Sequence, residues 1–303
     1  MSFALLFSGQ GTQHAAMLPW LADDDAVVHD MSQRLGVEDW RQAMADSTWA
    51  ERNDNAQVLL TGLASAAWAQ LAPKVARPAA IAGYSVGELA AFSAAGVMDA
   101  KAALALAQQR AEAMDECAAR VPGGLLAING LPDSRLSRLL TESGLAVAIR
   151  NGAESVVLGG PVAALAYAQR IASDEGAQCT RLRVNVASHT PWMREAAQGF
   201  AQALGGVLLR SPQVPLFSNA ADRIRDAESA GAALATQIAG TVRWDECMEN
   251  IVARQVRCVL EVGPGQALAR IWNRHCPSIP ARSCDDFRSV AAVVGWLESY
   301  SDR

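Results

Sequence analysis

Residues 80–92, AIAGYSVGELAAF, set Ser85 between Gly83 and Gly87. A G-x-S-x-G spacing carries chemistry when it joins a strand to a helix, because the serine then sits on a tight, strained turn. Bulky residues two positions to either side would collide there, and glycines relieve the crowding. A helix starting just after the serine points its N-terminus at the oxygen and favours negative charge. The N–H of Val86 is then placed to donate to an oxyanion. The chemistry would be attack of the Ser85 hydroxyl on an acyl carbon. The plain alternative is a serine in an ordinary glycine-rich loop, and the spacing alone does not separate the two.

A serine nucleophile needs a base. The chain has four histidines: His14 after a glycine turn, His29 in the acidic DDDAVVHD, His275 in NRHCPS and His189 in VNVASHTPW. The last reads as a place where a strand ends and a helix begins, the position at which α/β proteins collect functional side chains. A lone histidine is by default a surface or satisfied core residue, and position alone singles out His189. GQGTQ at 9–13 is by default a turn; the functional alternative is that the Gln10 backbone donates a second hydrogen bond to the oxyanion. Arg110, mid-helix in LALAQQRAEAM, would ordinarily be solvated. Its neighbours are largely apolar on one side, and a buried arginine needs an anion. A substrate carboxylate would suit its planar fork.

The elements that must position these residues can be read along the chain. Residues 3–11 read as a buried strand entering a glycine turn, and 55–71 as a helix apolar nearly all round and therefore buried. A short strand precedes Ser85, a helix follows it, and a longer helix over 101–119 carries Arg110. From RVPGG at 120–124 the pattern changes to strand (125–129), helix (from Asp133 as N-cap to about 142), strand (145–150), strand (155–159), helix (from Pro161 to about 174) and strand (179–185). That β-α-β-β-α-β order is ferredoxin-like. Helix returns after ASHTPW, and residues 214–219 and 256–265 read as further buried strands. The expectation is an α/β fold: a large, discontinuous α/β-hydrolase-like domain (1–121 and 187–303) with a mostly parallel sheet. A small ferredoxin-like domain (122–186) is inserted in it.

Composition narrows the function classes. The 303 residues are 51% hydrophobic and 19% charged with a formal charge of −5, an ordinary globular balance. No run approaches 18 apolar residues and the start lacks a basic n-region, so neither a membrane span nor a signal peptide is expected. The six scattered cysteines contain no C-x-x-C pair, which reads as reduced thiols in cytoplasm. No H-E-x-x-H or Cys/His ligand spacing exists, so no metal site is expected. The absence of basic runs with interleaved aromatics argues against nucleic acid as a partner.

FSGQGTQ, GYSVGELAAF, RAEAM, VASHTPWM, QIAGTVRW and LEVGPGQAL occur in the order and at about the spacing of malonyl-CoA:acyl-carrier-protein transacylases. The chain resembles that family over essentially its whole length. The resemblance implies Ser85 as the nucleophile that carries the acyl group and His189 as general base and then general acid. It implies the N–H groups of Gln10 and Val86 as the oxyanion hole, and Arg110 as the clamp on the free malonate carboxylate. Gln237 would orient His189 through its backbone carbonyl, in place of a triad acid. It further implies malonyl-CoA as substrate, a phosphopantetheine-type thiol on a carrier protein as acceptor, and no bound cofactor.

Two departures refine this. The common fatty-acid enzyme has histidine before the nucleophile and proline before G-Q-G, where this chain has Tyr84 and Ser8. GYSVGELAA and MLPW look more like the epsilon subunit of bacterial malonate decarboxylase, which loads malonyl onto a small carrier subunit. The fatty-acid or polyketide transacylase remains the alternative within the class; a serine esterase or thioesterase, and a non-catalytic carrier-binding module, are the alternatives outside it. Arg181, Arg183 and Arg194 are the candidates for contact with an acidic carrier at the cleft mouth.

Overall fold

The computed structural model describes residues 2–300. All five residues of β1 (Phe3–Phe7) are buried. Such an unbroken apolar run belongs to a parallel strand covered on both faces. It pairs in parallel with β2 (Ala80–Gly83) on one side and β10 (Cys258–Val262) on the other. Adding β7 (Leu216–Phe217), β8 (Arg223–Ile224) and β11 (Ala281–Ser283) gives a six-stranded sheet in the order β11-β10-β1-β2-β7-β8. Only β8 runs antiparallel. The chain leaves β1 toward β2 and later returns to build β10 on the opposite side. The carboxyl ends of β1, β2 and β10 therefore flank a switch in strand order, where open α/β sheets place their sites.

The helix Asn53–Leu71 is buried along nearly its whole circumference, as its sequence implies. It packs with the helices Gly87–Ala94 and Ala100–Arg120 in the core of the large sheet.

A second sheet is formed by β3 (Gly123–Asn129), β4 (Ala146–Gly152), β5 (Ser155–Pro161) and β6 (Gln178–Arg181), with the helices Asp133–Ser143 and Val162–Asp174. Its order is β6-β3-β5-β4-β9, where β9 is Val242–Arg243. The period-two alternation of β3 serves two environments. Leu126 and Ile128 join a separate core with Leu136, Leu158 and Leu165, whereas Leu125 and Ala127 face the space between the sheets.

Several expectations shift in detail. The fifth strand, parallel to β4, comes from residues 242–243, outside the 122–186 segment. β6 stops at Arg181 rather than reaching 185, because beyond it the chain leaves this edge and returns toward the large sheet. Asp133 is the first helical residue after Pro132, not the cap, and Pro161 ends β5 and caps its helix instead of starting it. The 214–219 strand shortens to two residues. All six cysteines are unpaired. No described helix is long and apolar enough to cross a membrane. Among the described residues no group of three or more His, Cys, Asp or Glu is disposed to hold a metal.

Candidate active site

The turn after β2 is packed to its steric limit. A Cβ on Gly83 would lie 2.3 Å from the carbonyl carbon of Gly87, and one on Gly87 would lie 2.3 Å from the carbonyl oxygen of Phe7 at the end of β1. No real side chain tolerates those distances, so both glycines are dictated by the turn. Within it Ser85 adopts φ +55°, a left-handed conformation that costs a non-glycine residue energy and persists only where surroundings enforce it. The enforcing group is Asn219, just past β7. Its Oδ1 accepts the Ser85 N–H at 2.8 Å and its Nδ2 donates to the Gly83 carbonyl at 2.7 Å.

The Ser85 hydroxyl lies 2.7 Å from Nε2 of His189. Nδ1 of the same ring lies 2.7 Å from the backbone carbonyl of Gln237, which can only accept. The proton therefore resides on Nδ1, and Nε2 presents its lone pair to the Ser85 hydroxyl. His189 is 1% exposed. Burial, and then the nearby Arg110 charge, push its pKa down to about 3, with the Gln237 carbonyl acting in the opposite sense. The imidazole is neutral and able to accept a proton. His189 is also left-handed, φ +63°, with its N–H held by the Ile238 carbonyl at 2.9 Å. It does not stand where a strand passes into a helix: β6 ends at Arg181, and His189 lies in an irregular stretch ahead of the 3-10 turn Pro191–Met193.

Gln10 follows β1 in a loop pressed against the serine turn, where a Cβ on Gly9 would come within 2.8 Å of the Tyr84 ring. Among the described residues, the backbone N–H groups of Gln10 and Val86 donate to no other group. Gln10 and Ser85 both line a cleft of about 240 Å³ between the two sheets, with Leu125, Ile149, Val157 and Ile271 among its apolar walls. An apolar slot ending in a few convergent polar groups suits a ligand with an extended arm and a reactive tip. The Val86 side chain is buried in the core, so only its backbone is available to that tip.

Arg110 is not on the cleft wall. It is buried behind Ser85, donating from Nη1 to Oε1 of Gln57 at 2.6 Å and from Nη2 to Oε1 of Gln237 at 2.9 Å. The buried anion that the sequence requires for Arg110 exists within the protein: Glu88, completely buried one turn beyond Ser85. Burial pushes the Glu88 carboxyl up to about 7, while hydrogen bonds from Asn219, Ser218 and Gln237 and the Arg110 charge hold it down. Burial takes the Arg110 pKa down to about 10, with Glu88 opposing. Every remaining polar atom of Gln237 is engaged as well, since Nε2 donates to the Ser85 carbonyl at 2.7 Å and to Glu88 at 2.9 Å.

Sequence reasoning misses Glu88, Asn219 and Gln57. Glu88 sits in plain view in GYSVGELAAF and Asn219 ends VPLFSN, but a carboxylate on a helix and an asparagine after a strand carry no signal by themselves. Tyr84 donates its hydroxyl to Oδ1 of Asn151 on β4 at 3.1 Å and meets Trp244 edge-on at 5.1 Å, which ties the serine turn to the second sheet. Of the three surface arginines, Arg183 lines the cleft and pairs with Glu51 at 3.4 Å. Arg181 and Arg194 are exposed outside it.

The chain matches the family described as Acyl transferase domain over residues 4–299. It is 32% identical over 293 residues to the malonyl CoA-acyl carrier protein transacylase of Mycobacterium bovis, covering 92% of this chain and 95% of that one. Among solved structures, the acyl-carrier-protein S-malonyltransferase of Burkholderia pseudomallei is similar with TM-score 0.87 and 30% identity, covering 97% of this chain and 100% of that one. A malonyl-transacylase solved in complex with its type II PKS acyl-carrier protein is similar with TM-score 0.89 and 30% identity over 97% and 99% of the two chains.

Proposed function

The chain belongs to the acyl transferase domain family, and we propose that it moves a malonyl group from malonyl-CoA, through an ester on Ser85, to the thiol of a carrier protein's prosthetic group. The observation that carries this reading is the relay from the Ser85 hydroxyl through His189 to the Gln237 carbonyl, with a buried arginine directly behind it. Ser85 Oγ attacks the thioester carbon as Nε2 of His189 takes its proton. The N–H groups of Gln10 and Val86 receive the oxyanion. His189 returns the proton to the departing CoA thiolate, and the carrier thiol reverses the steps. Arg110 turns toward the malonyl carboxylate and selects it, since a neutral acyl group offers a desolvated guanidinium nothing.

The acceptor is an acyl carrier protein or the malonate decarboxylase carrier subunit; Tyr84 and Ser8 favour the second. Arg183 at the cleft is the contact we assign to an acidic carrier, with Arg181 and Arg194 further out. We place the enzyme in the cytoplasm, working without a bound cofactor. We also read 122–186 as a ferredoxin-like unit inserted into a hydrolase-like domain of 1–121 and 187–303, supported by its element order and its own core.

The test is mass spectrometry of the protein after malonyl-CoA, followed by transfer to each purified carrier. A malonyl adduct on Ser85 that passes to a carrier thiol supports the reading. Efficient loading of the fatty-acid carrier alone overturns the decarboxylase assignment. Release of free malonate with neither carrier loaded would make the protein a hydrolase, and no adduct would leave only binding.

A further inference from the structure

Glu88 has no part in the relay above, yet it is the buried group most closely joined to it. Its Oε1 accepts the Asn219 N–H at 2.6 Å and its Oε2 accepts from Nε2 of Gln237 at 2.9 Å. The other side of the same Gln237 amide accepts from Arg110 at 2.9 Å, and the Gln237 backbone carbonyl receives the His189 Nδ1–H at 2.7 Å. A carboxylate only accepts and a guanidinium only donates, so this pair dictates which way the amide faces. One glutamine thus bridges two opposite buried charges and holds the histidine. The charges balance until a third, the acyl carboxylate, arrives.

We propose that Glu88 is a positioning residue: through Gln237 it fixes the carbonyl that orients His189, and as the counter-charge of Arg110 it tempers how strongly that guanidinium draws an acyl carboxylate. The second half rests on the malonyl reading; the first does not. The charged or titratable groups acting on Glu88 are Arg110 from the helix Ala100–Arg120 and Cys247 from the helix Trp244–Val252, whose thiol burial pushes up. The strands β1 and β2 bring no titratable side chain, and the helices Asn53–Leu71 and Ala227–Gln237 bring the neutral Gln57 and Gln237. His189 is reached through Gln237. With its carboxyl held near 7, Glu88 changes charge in a window where His189 stays neutral.

The experiment measures kcat and KM for malonyl-CoA between pH 6 and 8.5 in the native protein, Glu88→Gln and Glu88→Asp. The His189 Nδ1 proton is followed by NMR in each. Loss of the carboxylate loosens the amide and frees Arg110, so Glu88→Gln lowers kcat by about 10- to 100-fold, the range of general acid–base contributions. It also lowers KM by about 3-fold or more, because the guanidinium keeps its full Coulombic pull. The native protein approaches the same values as pH falls through about 7, the Gln variant loses that inflection, and the Asp variant keeps it. Titration of the CoA phosphates is common to all three. A packing role alone would lower kcat without lowering KM and leave the inflection in place, which overturns the proposal. An unchanged Nδ1 resonance in Glu88→Gln overturns the positioning half whatever the substrate. If the native protein forms no malonyl ester, the malonyl reading fails, the counter-charge half falls with it, and the NMR result decides the rest. Should Glu88→Gln not fold, an Asp variant without the native inflection overturns the proposal.

Discussion

Replacing Arg110 by alanine separates selectivity from the relay. The guanidinium is 3% exposed, and its removal strands Oε1 of Gln57 and Oε1 of Gln237. Two unpartnered buried carbonyls cost about 1–3 kcal/mol each, and an uncompensated Glu88 would bring the loss toward the ~3–5 kcal/mol of a broken buried pair. Glu88 limits this by taking up a proton, being already near 7. Without Arg110 its folded pKa rises further above the ordinary value. That contribution to stability is intact below about 4.5, the ordinary value, and is lost as pH rises through the new folded pKa. The comparison therefore belongs at pH 6, where more of that contribution remains than at pH 8.

In the acylation step a malonyl carboxylate left unpaired in a desolvated site loses about 3–5 kcal/mol, or about 10²- to 10⁴-fold in kcat/KM. An acetyl thioester has no such group. Removing the Arg110 charge also relieves one cause of the low His189 pKa, so the relay itself is not weakened by that route. Arg110→Ala should lower Ser85 malonylation from malonyl-CoA by at least 100-fold and acetylation from acetyl-CoA by less than about 10-fold. Rapid-quench mass spectrometry of the Ser85 adduct, corrected for the folded fraction, reads both rates. Equal losses for the two thioesters, or an unchanged malonyl rate, would refute the clamp.

Gly87→Ala sets a Cβ 2.3 Å from the Phe7 carbonyl. It should destabilise the fold by about 3 kcal/mol or more in urea titration, with loss of Ser85 acylation in whatever remains folded. Tyr84→Phe strands Oδ1 of Asn151 and should lower the unfolding free energy by about 1–3 kcal/mol, while acylation changes by less than about 3-fold. Burial pushes Glu261 up to about 7 from an ordinary 4.5, although Ser8 and the N–H groups of Leu268 and Ala269 donate to it. Its stabilising contribution is complete below 4.5 and is lost as pH rises through 7. Glu261→Gln removes that dependence, so its drop in unfolding free energy from pH 5 to pH 9 should be smaller than the native drop by about 3 kcal/mol. Identical drops in the two proteins would place the titration elsewhere.

The serine turn is legible in sequence because it is local. Gly83, Ser85 and Gly87 collide or fit within five residues, and a strand before and a helix after leave one geometry for the backbone. The order of strands and helices between residues 123 and 181 is legible for the same reason, since hydrophobic periodicity acts over a few residues at a time. What sequence supplies for His189 and Arg110 is narrower: four histidines to choose from, and an arginine whose neighbours argue for burial. The strand-end reading points to His189, yet the residue stands in an irregular segment eight residues beyond the end of β6, held left-handed by Ile238.

Tertiary structure alone decides what those residues meet. Gln237 joins Arg110 across 127 positions and Glu88 across 149, and Asn219 closes the serine turn from 134 residues away. No periodicity encodes such pairings. They follow from parallel strands that deliver distant loops to one edge of a sheet, and from the rule that a buried donor or acceptor must find its partner there. Residue types and one turn are written in the chain; the charge balance behind Ser85 exists only once the sheet has assembled.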